Sequence, residues 1–196
     1  IYTIDQYRLL CNKQSVVAPR KTLFSLFLLS ITLIAFELFV IKTFSVGNWS
    51  NFGSFVISTA LLGFGVSGTL ITLIKKRVEA NAELWLYTSS LLFLVTITIS
   101  HILGQQVPFN PIFIGSHSNQ VLWIGIYYLI YGIPFFFGSL FIGVSFVALS
   151  NRIHHLYFWN MFGSGLGGFL FILILYIFPP QNLIVPIIIL AACANI

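Results

Sequence analysis

Residues Gly63–Gly68 read GFGVSG, and residues Gly163–Gly168 read GSGLGG. Both fit G-x-G-x-x-G, the spacing with which dinucleotide-binding folds cradle a pyrophosphate. That chemistry needs a strand before the glycines and a helix after them, in a water-soluble βαβ unit. Here the first cluster lies inside the apolar run Phe52–Ile74, and the second lies just inside the run Asn160–Phe178. Neither has a strand before it or polar sequence around it, so the nucleotide reading fails.

Small residues at every fourth position have another use. They form a ridge on one helix face that lets two backbones approach, which matters in lipid because the hydrophobic effect does not drive helices together there. Thr59, Gly63 and Ser67 form one such ridge, with Gly65 and Gly68 in the same cluster, and Gly163 and Gly167 form a second. The two clusters fall in the same half of the membrane. They predict an antiparallel contact between the second and fifth spans.

Composition agrees with a lipid environment. The chain has 196 residues, of which 58% are hydrophobic and only 7% charged, with a mean hydropathy of +1.00. A soluble domain carries about 25% charged residues, so the charge needed to cover a water-facing surface is missing. The net charge of +5 does not point to nucleic acid, because the lysines and arginines sit in short clusters between apolar runs and form no basic face. Cys11 and Cys193 stand far apart in apolar context and define neither a disulfide framework nor a metal knuckle.

A membrane helix needs about 20 mostly apolar residues. Six runs qualify or nearly so: Leu23–Val46, Phe52–Ile74, Leu84–Leu103, Val121–Leu149, Asn160–Phe178 and the shorter Leu183–Ile196. The expected fold class is an all-α, polytopic transmembrane bundle. The fourth run contains Pro134, which predicts a tilt or kink. The chain opens without Met and ends within IIILAACANI. It therefore reads as part of a longer protein, with 1–22 a cytoplasmic segment and 23–196 a transmembrane domain incomplete at its C-terminus.

Orientation follows from basic residues, which concentrate on the cytoplasmic side. Arg8, Lys13, Arg20 and Lys21 precede the first run, Lys75, Lys76 and Arg77 follow the second, and Arg152 follows the fourth. The alternate loops carry neither lysine nor arginine. The N-terminus is expected in the cytoplasm, in a bacterial inner membrane. Trp49 and Trp123 then fall at outer boundaries and Trp85 and Trp159 at inner ones, where indoles favour the interface. The acceptor-like NWS at Asn48–Ser50 lies too close to the membrane to carry weight.

Three spans per half would make the second half an inverted copy of the first. Counted from the run starts, however, Gly63 comes about eleven residues after Phe52 and Gly163 about three after Asn160, a mismatch that speaks against such a repeat.

Glu37 is the acidic residue in the middle of a span. Placing such a group there costs about 2.5–3.5 kcal/mol, and it usually has a partner or a wet cavity. Lys42 stands five residues on, about 140° around the helix, where a direct pair is strained; it can extend toward the surface instead. A structural polar anchor bonded to another span is the simpler reading of Glu37. A site for a cation or proton is the sharper one. Asn160 at the mouth of the fifth run is a cap or an inter-helix hydrogen-bonding group. His101, His117, His154 and His155 share no ligand spacing with a carboxylate or cysteine, and nothing in the sequence points to a metal or cofactor. There is no Ser/His/Asp or Cys/His arrangement, so no catalytic residue is assigned.

These residues, taken in order, resemble one family. FELFVIKTFS carries a glutamate and a basic residue five positions on, as in the first span of membrane-embedded spermidine synthase-like proteins. TALLGFGVSGTLIT resembles that family's glycine-rich second span. GIPFFFGSLFIGVSF resembles its proline-then-glycine helix through Pro134 and Gly138. LYFWNMFGSGLGGF resembles its Tyr-x-x-Asn-x-x-Gly-x-x-x-Gly signature through Tyr157, Asn160, Gly163 and Gly167. The resemblance implies a membrane domain joined to a soluble aminopropyltransferase-like domain that binds decarboxylated S-adenosylmethionine and a polyamine. Any such domain would lie beyond Ile196.

Three functions follow as expectations. The chain is the membrane anchor or small-molecule, polyamine-like conduit of such a protein; or a transporter or channel that uses Glu37; or a structural subunit of a larger membrane complex. The lipid bilayer is the expected partner in each, with a second copy or other membrane subunits open as further partners and no nucleic acid.

Overall fold

The computed structural model describes residues 19–46, 53–108, 119–179 and 182–195. Arg8, Cys11, Lys13, the NWS at Asn48–Ser50, Trp49 and His117 lie outside the described residues. Within them the fold is all-α: α1 (Pro19–Val46), α2 (Gly53–Leu73), α3 (Lys75–Ala80), α4 (Ala82–Gly104), α5 (Asn119–Ala148), α6 (Ile153–Ile177) and α7 (Ile184–Cys193). A 3₁₀ turn, Ser150–Arg152, joins α5 to α6.

Five of these helices, α1, α2, α4, α5 and α6, are long and apolar enough to cross a membrane. The sixth apolar run forms the ten-residue α7, shorter than a span. The helical state follows from the solvent. Lipid offers no hydrogen bonds, so backbone groups must pair within the segment. Side-chain hydroxyls obey the same rule: Thr69 and Thr72 face outward and donate to the carbonyls of Gly65 and Gly68 at 2.9 and 2.8 Å. The outer surface carries Leu61, Leu73, Leu129, Phe169 and Ile172, each more than half exposed. An apolar surface of that extent marks contact with lipid or another protein. The chain is an integral, multi-pass membrane protein.

Two helices organise the bundle. α1 and α5 bury about half of their most apolar stretch, against a third or less for α2, α4 and α6. α1 packs most extensively on α6 and also contacts α7, α5 and α2. α5 packs on α2 and α4 to equal extents. Phe36, Phe93 and Phe135 are the largest fully buried side chains and fill the space between α1, α4 and α5.

Two expectations about the elements are corrected. The fifth span begins at Ile153, seven residues before Asn160, because His154 and His155 dilute a first turn that is nevertheless helical. The cluster Lys75–Arg77, read as a loop, opens the six-residue helix α3, held by the amide of Val78 on the Ile74 carbonyl at 3.1 Å. Pro134 lies within α5, which stays continuous from Asn119 to Ala148.

Candidate functional site around the first helix

The residues singled out in the sequence converge on α1 and α5. A Cβ on Gly163 would meet the Phe27 carbonyl oxygen at 2.7 Å, and one on Gly167 would meet that of Ile31 at 2.6 Å. Both glycines therefore let α6 lie directly on the backbone of α1. Between them and the helix start, the Asn160 amide reaches Ser30: Ser30 Oγ donates to Asn160 Oδ1 at 2.8 Å and also lies 2.7 Å from the Leu26 carbonyl. One hydroxyl has one proton. Turning the Asn160 amide so that Nδ2 donates to Oγ leaves that proton for Leu26 and satisfies both contacts. Phe27 stacks on Phe162 and meets Trp159 edge-on, with centroids 5.8 and 5.4 Å apart.

Gly63 performs the same service on the other side. A Cβ there would lie 2.9 Å from backbone atoms of Phe135 and Phe136 on α5. One turn on, Ser139 Oγ donates to Ser67 Oγ at 2.8 Å, while Ser67 donates to the Phe64 carbonyl at 2.9 Å. The glycine ridges are thus real, but their partners differ from the expected ones. The α2 ridge packs on α5 and the α6 ridge on α1; the two do not pack on each other. Gly65 and Gly68 are a further correction. Both are exposed, with nothing within 4 Å of an added Cβ. They sit about 200° and 140° around α2 from Gly63, on the outer face. Asn160 does not cap α6, since it lies two turns inside it, but it does bond the neighbouring helix.

Glu37 is half-buried in the C-terminal half of α1. Leu33 and Val40, its i−4 and i+3 neighbours on the same face, are 3% and 0% exposed. Ile34, Leu38 and Ile41, its i−3, i+1 and i+4 neighbours, are half-buried like Glu37, so the residue lies on the least enclosed stripe of this stretch of α1, at the edge of its packed face. Leu33 is also the side chain that crowds Gly138 on α5, which brings Pro134 and Gly138 to the same crossing. Among the described residues Glu37 has no hydrogen-bonding or ionic partner, so the expected bond to another span is not found there. Lys42 is half-buried and makes no ion pair with it; the ion pair among the described residues is Lys75–Glu79 at 3.8 Å.

The two ends of the bundle differ. Toward the end formed by the last turns of α1 and α4 and the beginnings of α2 and α5, aromatic rings gather into a cluster. Phe44 meets Tyr127 and Tyr131 edge-on, at 5.3 and 5.6 Å, and Phe55 packs on Tyr128 at 4.0 Å. Tyr127 donates to the Gly104 carbonyl at 3.2 Å, and Tyr131 covers the α-carbon of Gly104. At the opposite end a cavity of about 220 Å³ opens between α1, α4, α5 and α7, lined by Lys21, Ser25, Glu83, Ser90 and Asn195 among others. Ser90 donates to Asn195 Oδ1 at 2.7 Å on its wall. Neither the aromatic cluster nor this cavity was anticipated from the sequence. Phe44, Phe55 and Tyr131 are scattered through apolar runs, and only the fold brings them together.

No family model matches this chain, and no curated protein or solved structure matches it.

Proposed function

We propose that this chain is the membrane domain of a spermidine synthase-like protein and that it holds a small, polyamine-like cation at Glu37. The observation that carries this reading is the position of Glu37. It is a half-buried carboxyl group within the apolar stretch of the most enclosed helix, at the edge of that helix's packed face, without a described protein group to answer its charge. A group in that setting is costly unless a cation or a proton joins it. The other residues of the resemblance support the site from outside it. Asn160, Gly163 and Gly167 fix α6 against α1, and Gly63 and Gly138 let α2 and α1 close on α5. Their common effect is to hold the helix that carries Glu37 and the helix it crosses.

The test is spermidine binding to the purified full chain in detergent, by calorimetry, for the wild type and Glu37→Gln. The reading predicts saturable binding that Glu37→Gln weakens at least tenfold, with thermal stability kept because an amide still hydrogen-bonds. Equal binding by both proteins, or no binding by a folded wild type, overturns it. The latter leaves the chain as an anchor or structural subunit.

A further inference from the structure

We propose that the cavity between α1, α4, α5 and α7 binds a small zwitterion, the ethanolamine phosphate headgroup of a membrane phospholipid, with its phosphate against Lys21 and Ser25 and its ammonium against Glu83. This site is separate from Glu37, which stands about 24 Å further along α1 than Lys21 at 1.5 Å per residue. The inference does not rest on the reading of Glu37.

The cavity follows from the packing. α1 and α4 scarcely touch, whereas α5 and α7 each pack against both. The beginnings of α1 and α4 are thereby held apart as two walls. Lys21 and Ser25, four residues apart, share one face of α1. Glu83, Tyr87 and Ser90, at i, i+4 and i+7, share one face of α4. Leu86, Phe141 and Ala194 are buried and close the back. Tyr87 is more than half exposed and stands at the mouth.

The polar groups of the two walls are left open. Lys21 and Glu83 bring opposite charges to one cavity without pairing; the ion pair among the described residues is Lys75–Glu79. Ser25 differs from Ser30, Thr32, Thr43 and Ser45 of the same helix, each of which reaches the carbonyl four residues back. Ser25 makes no hydrogen bond among the described residues. The third wall, by contrast, is fixed. Ser90 bonds Asn195 at 2.7 Å, and Asn195 Nδ2 donates to the Ala191 carbonyl at 2.9 Å.

This arrangement selects a class of ligand. An ammonium and a free hydroxyl on one side bind an anionic group, and a carboxylate on the other binds an ammonium that carries N–H donors. A purely anionic ligand meets Glu83, and a purely cationic one meets Lys21. A zwitterion answers both. Pockets for drug-sized ligands measure about 300–1,000 Å³, so at about 220 Å³ this cavity takes a smaller group.

Two observations make that group part of a lipid. Lys21 and Glu83 stand in the first turns of two membrane-length helices, at the depth of the headgroups. From Tyr87, an exposed apolar stripe continues along α4 through Leu91 and Val95 at steps of four residues. That stripe is the surface on which acyl chains of a lipid held at the mouth would lie.

The test titrates the purified full chain in detergent with dihexanoyl phosphatidylethanolamine, dihexanoyl phosphatidylglycerol and free phosphoethanolamine, followed by calorimetry. The wild type should bind the ethanolamine lipid saturably and about tenfold more tightly than the glycerol lipid, which has the phosphate without the ammonium and so forgoes a hydrogen bond between charged groups. Free phosphoethanolamine, without acyl chains to bury, should bind at least about tenfold more weakly than its lipid. Glu83→Gln should erase the preference between the two lipids, and Lys21→Met should weaken both about tenfold. Both residues are exposed, so these variants keep the fold, which thermal melts check; the comparison of the three ligands on the wild type needs no variant. The inference is overturned by a folded wild type that does not bind the ethanolamine lipid, by a lipid preference that survives Glu83→Gln, by affinities untouched in Lys21→Met, or by equal binding of free phosphoethanolamine.

Discussion

Ser30 and Asn160 are 130 residues apart in sequence and 2.8 Å apart in the bundle, joining α1 to α6 between the Gly163 contact and the start of α6. The pair adds a polar contact to an interface that also includes Gly163, Gly167, Phe27, Ile31 and Trp159. Hydrogen bonds between membrane helices contribute about 0.6 kcal/mol on average and seldom more than about 1.7. A double-mutant cycle of Ser30→Ala and Asn160→Ala, read by unfolding in mixed detergent micelles, should give a coupling energy in that range. A cycle that closes with no coupling would show that the two residues do not bond.

The glycines divide into two classes with opposite expectations. Gly163→Leu drives a side chain into the Phe27 backbone and should destabilise the protein by about 1–3 kcal/mol, the usual cost of overpacking. Gly65→Leu and Gly68→Leu add side chains to an open outer face and should stay within about 0.5 kcal/mol of the wild type. Thermal melts of the three variants in one detergent check both halves. Equal losses at Gly65 and Gly163 would mean that α2 has another face against protein.

The basic residues predict which side of the membrane each end of the bundle faces. A cysteine placed at Lys76 should be labelled by an impermeant reagent only from the cytoplasmic side, and one at Ser116 only from outside. Labelling of both from one face would break the topology, and the reverse pattern would invert it.

Much of this was legible in the sequence, and the gaps have physical causes. Hydropathy located five long helices because in lipid a long apolar run has little choice but to be helical. It put the start of α6 seven residues late, since His154, His155 and Trp159 suit an interface that is nonetheless helical. Four-residue spacing marked Gly63, Gly163 and Gly167 as packing positions. Spacing names a face and not the neighbour that covers it, so α6 was expected on α2 and lies on α1. Gly65 and Gly68 shared the motif but not the face. The convergence of Phe44, Phe55 and Tyr131 depends on contacts between spans, which no single helix encodes.

The helix pairing is the claim on which the rest stands, and a disulfide measures it directly. Ser67 and Ser139 have hydroxyl oxygens 2.8 Å apart across α2 and α5, so the pair Ser67→Cys and Ser139→Cys should cross-link under mild oxidation in a chain lacking Cys11 and Cys193. The pair Ser67→Cys and Ser164→Cys, which would join α2 to α6, should remain reduced. Rapid cross-linking of the second pair with none in the first would contradict the bundle described above.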